Sequence, residues 1–251
     1  MTPPSMTTDT NRHLVQPLLT VVLMLWGAVC MAEDDRLSYQ VDSPVWLQAV
    51  GKLIVPGIKT VDGHRTHHLE RCSATLVAGE RGQQDIIVTA WHCLERYSDV
   101  SKPIMFTLLP GSERAVESQA YRLADGGGMH ADWAILRLKK PVSPLISPLG
   151  VNEGGAKEYS AIMMAGFSSD PGIGNHGTRL SYDPNCQITR QSPLVSDSDC
   201  KAFKGASGGA VVQTSQGQVL LAGVVSEGNG AQLSTFVPVS RFRHALNRYL
   251  R

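Results

Sequence analysis

Residues 86–93 read Ile-Ile-Val-Thr-Ala-Trp-His-Cys, a short run of β-branched and apolar residues that ends in a histidine and a cysteine. A run of this length predicts a buried β-strand that stops at a turn. Similar short runs, separated by turn-forming residues, cover 46–55, 73–77, 104–109, 133–138, 161–167, 209–213, 219–225 and 235–239. With a hairpin turn predicted at 214–217, these strands favour an all-β barrel or sandwich.

The C-terminal residues are the one segment with a convincing helical pattern. Ser240 is a candidate N-cap, because its hydroxyl is able to accept a bond from a free backbone N–H of the first turn. A helical spacing places these apolar residues on one face: Phe242, Ala245, Leu246, Tyr249 and Leu250. We expect that face to pack against the β-structure.

The composition agrees with a β-rich globular protein and excludes several classes of function. The 251 residues are 42% hydrophobic and 18% charged, with a formal net charge of +1. The 24 glycines and 14 prolines are too many for a helical bundle. Aromatic residues make up 6% of the chain and neither half is strongly basic, so we expect no nucleic-acid partner and no polybasic membrane surface.

The N-terminal segment has the pattern of an export signal. Arg12 supplies a positive charge, and residues 18–29 form an apolar run without charges. This run is shorter than the roughly 20 residues that a membrane-spanning helix needs. Ala32, followed by three acidic residues, is a small residue of the kind that signal peptidase accepts.

We therefore predict a signal peptide over residues 1–32 and a mature domain over 33–251. The alternatives are an uncleaved anchor and a lipoprotein modified at Cys30. They are disfavoured because the residue just before Cys30 is valine rather than a small residue. The mature protein is expected to be secreted or periplasmic, with no stable membrane association after the signal is removed.

Removal of Cys30 leaves an even number of cysteines in an oxidising compartment, which allows three disulfide pairings. Proximity in sequence favours Cys72 with Cys93 and Cys186 with Cys200. A metal site is disfavoured because no Cys-x-x-Cys or Cys/His ligand spacing is present. The histidines 64, 67 and 68 are assigned to a solvated loop, since no carboxylate or cysteine lies at ligand spacing. We expect neither a metal ion nor a cofactor.

Three segments carry chemistry, and they occur in the order His92, Asp132 and Ser207. His92 lies at the end of the run 86–93, Asp132 opens an apolar strand, and Ser207 lies in the glycine-rich stretch 204–211 (KGASGGAV). A serine hydroxyl becomes a nucleophile when a histidine takes its proton, and an acid on the other ring nitrogen holds that histidine in the required tautomer. Together the three residues indicate acyl transfer.

The glycines around Ser207 serve the same chemistry. They allow the backbone to turn sharply, so that the N–H groups of Gly205 and Ser207 converge on a developing oxyanion. An esterase of the α/β-hydrolase type is excluded, because that fold requires the order Ser, Asp, His and a helix after the serine turn.

The segments TAWHC (89–93), DWAIL (132–136) and GASGG (205–209) resemble the three signature segments of the chymotrypsin-like, trypsin-family serine endopeptidases. Further similarity, at 49–53, 72–77 and 223–226, extends the resemblance from about residue 47 to the C-terminus. It implies two six-stranded antiparallel β-barrels with the active site in the cleft between them, followed by a C-terminal helix.

The resemblance also implies roles for individual residues. Ser226 and Gly228 would lie on the strand that lines the substrate cleft, and Lys201 near the base of the primary specificity pocket. The Cys72–Cys93 bridge is common in the family. Cys200 lies farther from Ser207 than in the animal enzymes, which resembles the bacterial branch that includes glutamyl endopeptidases. With Lys201 nearby, two alternatives stay open: a preference for an acidic residue before the scissile bond, or a lysine that points to solvent.

The expected function is thus that of a monomeric serine endopeptidase acting on proteins or peptides through an acyl-enzyme intermediate. The alternative is a protease-like binding protein without catalytic activity. In zymogen-type relatives an aspartate before the nucleophile pairs with a new N-terminal ammonium, but Ala206 has no charge for such a pair. We therefore expect that no activating cleavage near residue 50 is required.

Overall fold

Two antiparallel β-barrels account for most of the chain that the structure describes. The computed structural model describes Met1 and residues 34–80, 82–98, 101–231 and 233–251. The chain divides into the units Met1–Glu33 and Asp34–Arg251, and both barrels belong to the second unit. The signal peptide predicted over residues 1–32 lies, except for Met1, outside the described residues.

The strands follow one another closely along the chain. They are β1 (Leu37–Ser38), β2 (Val50–Val61), β3 (His64–Val77), β4 (Ile86–Thr89), β5 (Ile104–Leu108), β6 (Val116–Asp125), β7 (Ala134–Leu138), β8 (Gly150–Val151), β9 (Ala161–Gly166), β10 (Ser181–Gln191), β11 (Ser196–Ser198), β12 (Ala210–Ser215), β13 (Gln218–Gly228) and β14 (Ser234–Pro238). Short 3-10 helices cover Val45–Ala49, Trp91–Cys93 and Val239–Arg241, and helix α1 covers Arg243–Leu250.

The first barrel is closed in the strand order β2-β3-β4-β7-β6-β5, with β5 pairing again to β2. Its longest hairpin joins β2 to β3 through Asp62 and Gly63, which have φ values of 50° and 78°. Positive φ at both central residues matches the two-residue turn that suits twisted antiparallel strands. The prediction that His64, His67 and His68 lie in a loop is therefore wrong. All three lie on β3, because the turn that joins β2 to β3 takes up only two residues.

The second barrel has the order β10-β11-β14-β13-β12-β9, and a pairing between β9 and β10 closes it. Strand β1 adds to β10, and β8 lies parallel to β13. The turn predicted at 214–217 is confirmed, with Gln216 and Gly217 both at positive φ between β12 and β13. The expected fold of two six-stranded antiparallel barrels followed by a C-terminal helix is thus confirmed.

Each barrel makes space for a buried phenylalanine at a glycine. A Cβ at Gly51 in β2 would lie 2.4 Å from the ring of Phe106 in β5. A Cβ at Gly223 in β13 would lie 2.5 Å from the ring of Phe236 in β14. Both rings are almost completely buried, so a side chain at either glycine would overpack its barrel core.

The C-terminal helix uses the predicted face but begins later than predicted. Leu246 and Leu250 are buried, and Phe242 stacks on Trp133 with ring centroids 5.7 Å apart. Ser240 is not the N-cap, because it lies in the preceding 3-10 helix and α1 starts without a side-chain cap. Among the described residues, no helix has the length and apolar character needed to span a bilayer.

Every predicted strand segment contains an observed strand, although residues 46–49 belong to the 3-10 helix that precedes β2. Five strands were not predicted: the two-residue strands β1 and β8, and the longer or more polar strands β6, β10 and β11. Strand β6 carries polar residues on its exposed side, and β11 consists of Ser-Asp-Ser. Strand β10 contains Pro184 within a register shift between Asp183 and Cys186, where a bulge tolerates the missing backbone donor.

Both predicted disulfides are confirmed. Cys72 on β3 is bonded to Cys93, and Cys186 on β10 is bonded to Cys200. The first bridge closes a separation of 21 residues and the second a separation of 14. The first also ties β3 to the short helix that carries His92.

Replacing each bridged pair with alanines tests these roles. Each double variant should lose about 3 kcal/mol of unfolding free energy, because the unfolded chain regains the freedom that the loop removes. Urea unfolding followed by tryptophan fluorescence measures this loss. The Cys72→Ala/Cys93→Ala variant should lose more of the implied peptidase activity, since His92 adjoins Cys93. A larger activity loss in the other double variant would contradict this assignment.

Candidate active site

Two segments of the first barrel bring His92 and Asp132 together. His92 lies in the short helix directly after β4, and Asp132 lies just before β7. Because β4 and β7 pair side by side through Thr89 and Ala134, the two segments meet at the same end of the barrel. Asp132 Oδ1 accepts the backbone N–H of His92 at 2.8 Å, and Oδ2 accepts from the ring Nδ1 at 2.8 Å.

The contact at Nδ1 determines the tautomer of the neutral His92 ring. A carboxylate oxygen only accepts, so Nδ1 carries the proton and Nε2 is left as a free base. Burial by itself lowers the pKa of His92. The hydrogen bond and negative charge of Asp132 outweigh burial, with added contributions from Glu70 and Glu227, and the pKa is raised above its ordinary value of 6.5.

Asp132 is fully buried and remains ionised. Burial raises its pKa, but the hydrogen bonds and charge of His92 and the hydroxyl of Ser226 outweigh that effect, so the net pKa is lowered. Ser226 Oγ donates to Asp132 Oδ2 at 2.5 Å. Sequence reasoning placed Ser226 in the cleft and missed this contact, because the two residues are 94 positions apart in the chain.

Ser207 lies in the turn before β12 and lines the same cavity as His92, which has a volume of about 610 Å³. Its hydroxyl donates to the backbone carbonyl of Ser226 at 3.2 Å. In the described chain, no hydrogen bond joins Ser207 Oγ to His92 Nε2. The structure therefore brings all three predicted residues to one place, with the Asp132–His92 contact formed and the His92–Ser207 contact open.

Ser73 attaches the Ser207 turn to the first barrel, a role that sequence reasoning missed. Its backbone N–H donates to the carbonyl of Ser207 at 2.8 Å, and its hydroxyl donates to the carbonyl of Gly205 at 2.8 Å. The same hydroxyl accepts the N–H of Phe167 at 2.8 Å. Since Ser73 is fully buried, these bonds have no competition from solvent.

Hydrogen bonds hold two carbonyl groups around Ser207, and these bonds set the direction of the N–H groups that follow them. Ser169 donates to the Lys204 carbonyl from its N–H at 2.7 Å and from its hydroxyl at 2.6 Å. The Ala206 carbonyl accepts the N–H of Gly209 at 2.8 Å. In a trans peptide the N–H points opposite to the C=O, so the following N–H groups, of Gly205 and Ser207, face the other way.

The amides of Gly205 and Ser207 donate to no protein group within the described residues, which leaves both available to a ligand. Gly205 has a φ of 94°, and a Cβ there would lie 2.4 Å from the Phe167 carbonyl oxygen. A Cβ at Gly208 would lie 2.1 Å from the Ser73 carbonyl oxygen. Both positions therefore require glycine for backbone conformation and for space.

The cavity wall contains two of the three predicted substrate-binding residues. Ser226 and Gly228 line it, whereas Lys201 does not: its ammonium lies 3.4 Å from the carboxylate of Asp35. The charged side chains on the wall are instead Lys204 and Glu227. The remaining lining residues are His92, Met129, Phe203, Ser207, Val225, Asn229, Leu233 and Thr235.

The ligand-type side chains of Cys72, His92 and Cys93 form one close group, and it is the single group of that kind among the described residues. Both of its sulfurs are joined in a disulfide, and a disulfide sulfur is not the thiolate that binds metals. His64, His67 and His68 belong to no group of three potential ligands in this part of the chain.

The charges around His92 give a direct test by NMR titration of its ring. The pKa should lie above 6.5, and Asp132→Asn should lower it because burial then acts without the compensating anion. Glu227→Gln should lower it by less. The matched control is Glu117→Gln, an exposed position on β6, which should leave it unchanged. A pKa that stays the same in Asp132→Asn would refute Asp132 as the source of the shift.

Comparisons with known proteins give the family and the fold of the chain. The protein-family model of the trypsin-like peptidase domain matches residues 72–220 of this chain. A crystal structure described as the thermostable serine protease AL20 from an extremophilic microorganism is 16% identical. The match covers 82% of this chain and 98% of that chain with a TM-score of 0.62, which supports the fold. Curated protein sequences give no significant match. From the matched domain, the chain belongs to the trypsin-like peptidase family.

Proposed function

We propose that the protein is a serine endopeptidase in which Ser207 is the nucleophile, His92 the general base and Asp132 the residue that orients the base. Family and fold support a protease function. The observation that carries the finer proposal is the double hydrogen bond between Asp132 and His92. In the neutral ring this places the proton on Nδ1 and makes Nε2 the basic nitrogen, in a residue that lines the same cavity as Ser207.

In the first step, Ser207 Oγ attacks the carbonyl carbon of the scissile peptide bond. His92 Nε2 takes the hydroxyl proton as the new C–O bond forms, and the carbonyl π electrons move to the substrate oxygen. For this step the hydroxyl leaves the Ser226 carbonyl and turns toward Nε2. Contacts of this kind are often long or misaligned before substrate binds and tighten in the complex.

The oxyanion formed in that step is stabilised by the N–H groups of Gly205 and Ser207. They are already oriented, because Ser169 and Gly209 hold the carbonyls of the same peptide units on the opposite side. Pre-oriented donors need no rearrangement as the charge develops, and one such donor typically contributes roughly 10²–10³-fold to kcat.

The tetrahedral intermediate then collapses. The C–N bond breaks, His92 gives its proton to the leaving amine, and Ser207 keeps the acyl group. A water molecule next attacks the acyl carbon and passes its proton to His92, and the second collapse returns Ser207 as a hydroxyl. Asp132 remains a carboxylate throughout, because its lowered pKa opposes proton transfer from the imidazolium.

We also propose export of the mature domain over residues 33–251 to the periplasm or the medium. The two disulfides support an oxidising compartment, where such bonds persist. We propose that the exported enzyme is a monomer that acts on proteins or peptides. We propose no nucleic-acid partner and no stable membrane association for it. The signal-peptide assignment rests on the sequence alone.

Replacing the nucleophile gives the sharpest test of the triad. Ser207→Ala and His92→Ala should each lower kcat by roughly 10⁴–10⁶-fold without unfolding the protein. Asp132→Asn should lower it by about 10⁴-fold, because the amide favours the wrong tautomer of His92. Hydrolysis of a casein-derived peptide mixture measures the loss, and circular dichroism verifies folding.

Fluorophosphonate labelling separates the proposal from the alternative of an inactive binding protein. The reagent reacts with an activated serine, so Ser207 should be labelled in the wild type and not in Ser207→Ala. Ser215→Ala, at the end of β12 and outside the cavity lining, is the matched control and should retain labelling and activity. A folded wild type that resists the reagent would favour the binding protein.

We propose that Lys204, rather than Lys201, gives the preference for an acidic substrate residue that the resemblance to glutamyl endopeptidases suggests. Lys204 is the cation on the cavity wall, so it is the group placed to pair with an acidic substrate residue. The wild type should cleave after Glu faster than after Gln in matched peptides. Lys204→Met should reduce that ratio and Lys201→Met should not. Cleavage confined to bonds after Lys or Arg would contradict the acidic preference.

A further inference from the structure

The first described residues of the mature domain, Asp34–Ser38, lie along the second barrel as an N-terminal strap. Leu37 and Ser38 pair with β10 as strand β1. The hydroxyl of Ser38 donates to the Ile173 carbonyl at 3.0 Å. At the centre of the strap, Arg36 is only 3% exposed. A buried guanidinium is costly unless charges and hydrogen bonds compensate it, so the groups around Arg36 require explanation.

Two carboxylates compensate the guanidinium of Arg36. Asp34 accepts from Nε at 2.9 Å and from Nη2 at 2.6 Å, a two-point contact within the strap. Asp170 accepts from Nη1 at 3.0 Å, across 134 positions of sequence. Ser181 Oγ lies 3.5 Å from Nη1. The guanidinium carbon is 4.2 Å from the ring centroid of Phe203, a cation–π contact.

Asp170 and Phe203 belong to the two segments, 168–177 and 201–205, that orient the N–H of Gly205, the predicted oxyanion donor. Asp170 follows Ser169, whose N–H and hydroxyl both hold the Lys204 carbonyl. Phe203 precedes Lys204 directly. Ser169 and the Lys204 carbonyl are the two partners of the bond that directs the Gly205 N–H away from Ser169. Arg36 therefore contacts the residue next to each of these partners.

Asp170 also closes its own loop, which makes it a firm attachment point. Its Oδ2 accepts the N–H of Gly174 at 3.1 Å, and its backbone carbonyl accepts the N–H of His176 at 2.9 Å. A second ion pair, between Asp35 and Lys201 at 3.4 Å, ties the strap to the chain just before Phe203. The strap is thus bound to both segments by charge.

We propose that Arg36 is a positioning residue that holds the 168–177 loop and the 201–205 segment in register, so that the Gly205 N–H faces the cavity. The inference rests on the proposed function of Gly205 as an oxyanion donor. It explains how the turn is ordered although Ala206 offers no charge. The side chain of Arg36 is the active group, so a free α-amino group is not required.

Hydrogen exchange followed by mass spectrometry tests the positioning itself, independently of activity. In Arg36→Ala, made in the protein expressed from its full sequence, peptides from 168–177 and 201–207 should exchange about 10-fold faster, since local opening becomes easier. Peptides from the first barrel should not change. Arg36→Lys should fall between, because lysine keeps the charge and loses the two-point geometry.

Kinetics then test the consequence for catalysis. In Arg36→Ala, kcat should fall by about 10²-fold, the scale of one lost oxyanion donor, with little change in KM. The matched control is Arg190→Ala, which removes an exposed arginine from its pair with the buried Asp197 in the same barrel and should alter neither kcat nor exchange at 168–177 and 201–207. If Arg36→Ala fails to fold, Asp170→Asn provides the same comparison with the strap arginine retained.

The outcomes separate this inference from the proposed function. A wild type without hydrolysis refutes the proposed function, while the exchange data still decide whether Arg36 orders the two segments. An active wild type with unchanged exchange in Arg36→Ala overturns the proposed positioning role of Arg36. Faster exchange spread evenly over both barrels, or a rise in KM at constant kcat, also overturns it, because either result describes general loosening rather than positioning.

Discussion

The buried bonds of Ser73 connect the two barrels at the point where the candidate site is assembled. One residue of β3 donates its N–H to the Ser207 carbonyl and its hydroxyl to the Gly205 carbonyl. The first barrel carries His92 and Asp132, and the second carries Ser207 and Ser226. The bond from Ser226 to Asp132 joins the same two barrels, and one buried hydrophobic cluster spans both of them. Together with these contacts, the buried bonds of Ser73 keep Ser207 and His92 at one cavity.

Burial also strengthens the interaction between the Asp132 carboxylate and His92. Asp132 has no exposed surface, so its charge is screened by little water and its hydrogen bonds are strengthened. The cost of burying the carboxylate is offset by three donors, from the His92 backbone, the His92 ring and Ser226. Removing a donor leaves a charge that is still buried, which is why these contacts depend on one another.

Most of the strands and the candidate site residues His92, Asp132 and Ser207 were predictable from sequence, whereas the contacts that support them were not. Apolar runs such as that of β4 carry a local pattern, and His, Asp and Ser in that order carry a chemical one. The bond from Ser73 to Gly205 spans 132 positions and the pair Arg36–Asp170 spans 134, so neither leaves a local signal. For Lys201 the sequence suggested a contact that the structure does not have. Its position in sequence placed it near the pocket, but its ammonium pairs with the carboxylate of the strap residue Asp35.

Packing at Ala206 explains why this turn is ordered from outside rather than by a charge within it. Ala206 is 2% exposed, and a Cβ at Gly166 in β9 would lie 2.7 Å from its Cα. An aspartate in place of Ala206 would need both space and a buried cation, and the close approach of β9 restricts the space. The polar contacts therefore lie around the turn, at Ser73, Ser169 and the strap. Because Ala206 offers no charge, the neighbours of the turn are the groups that hold it.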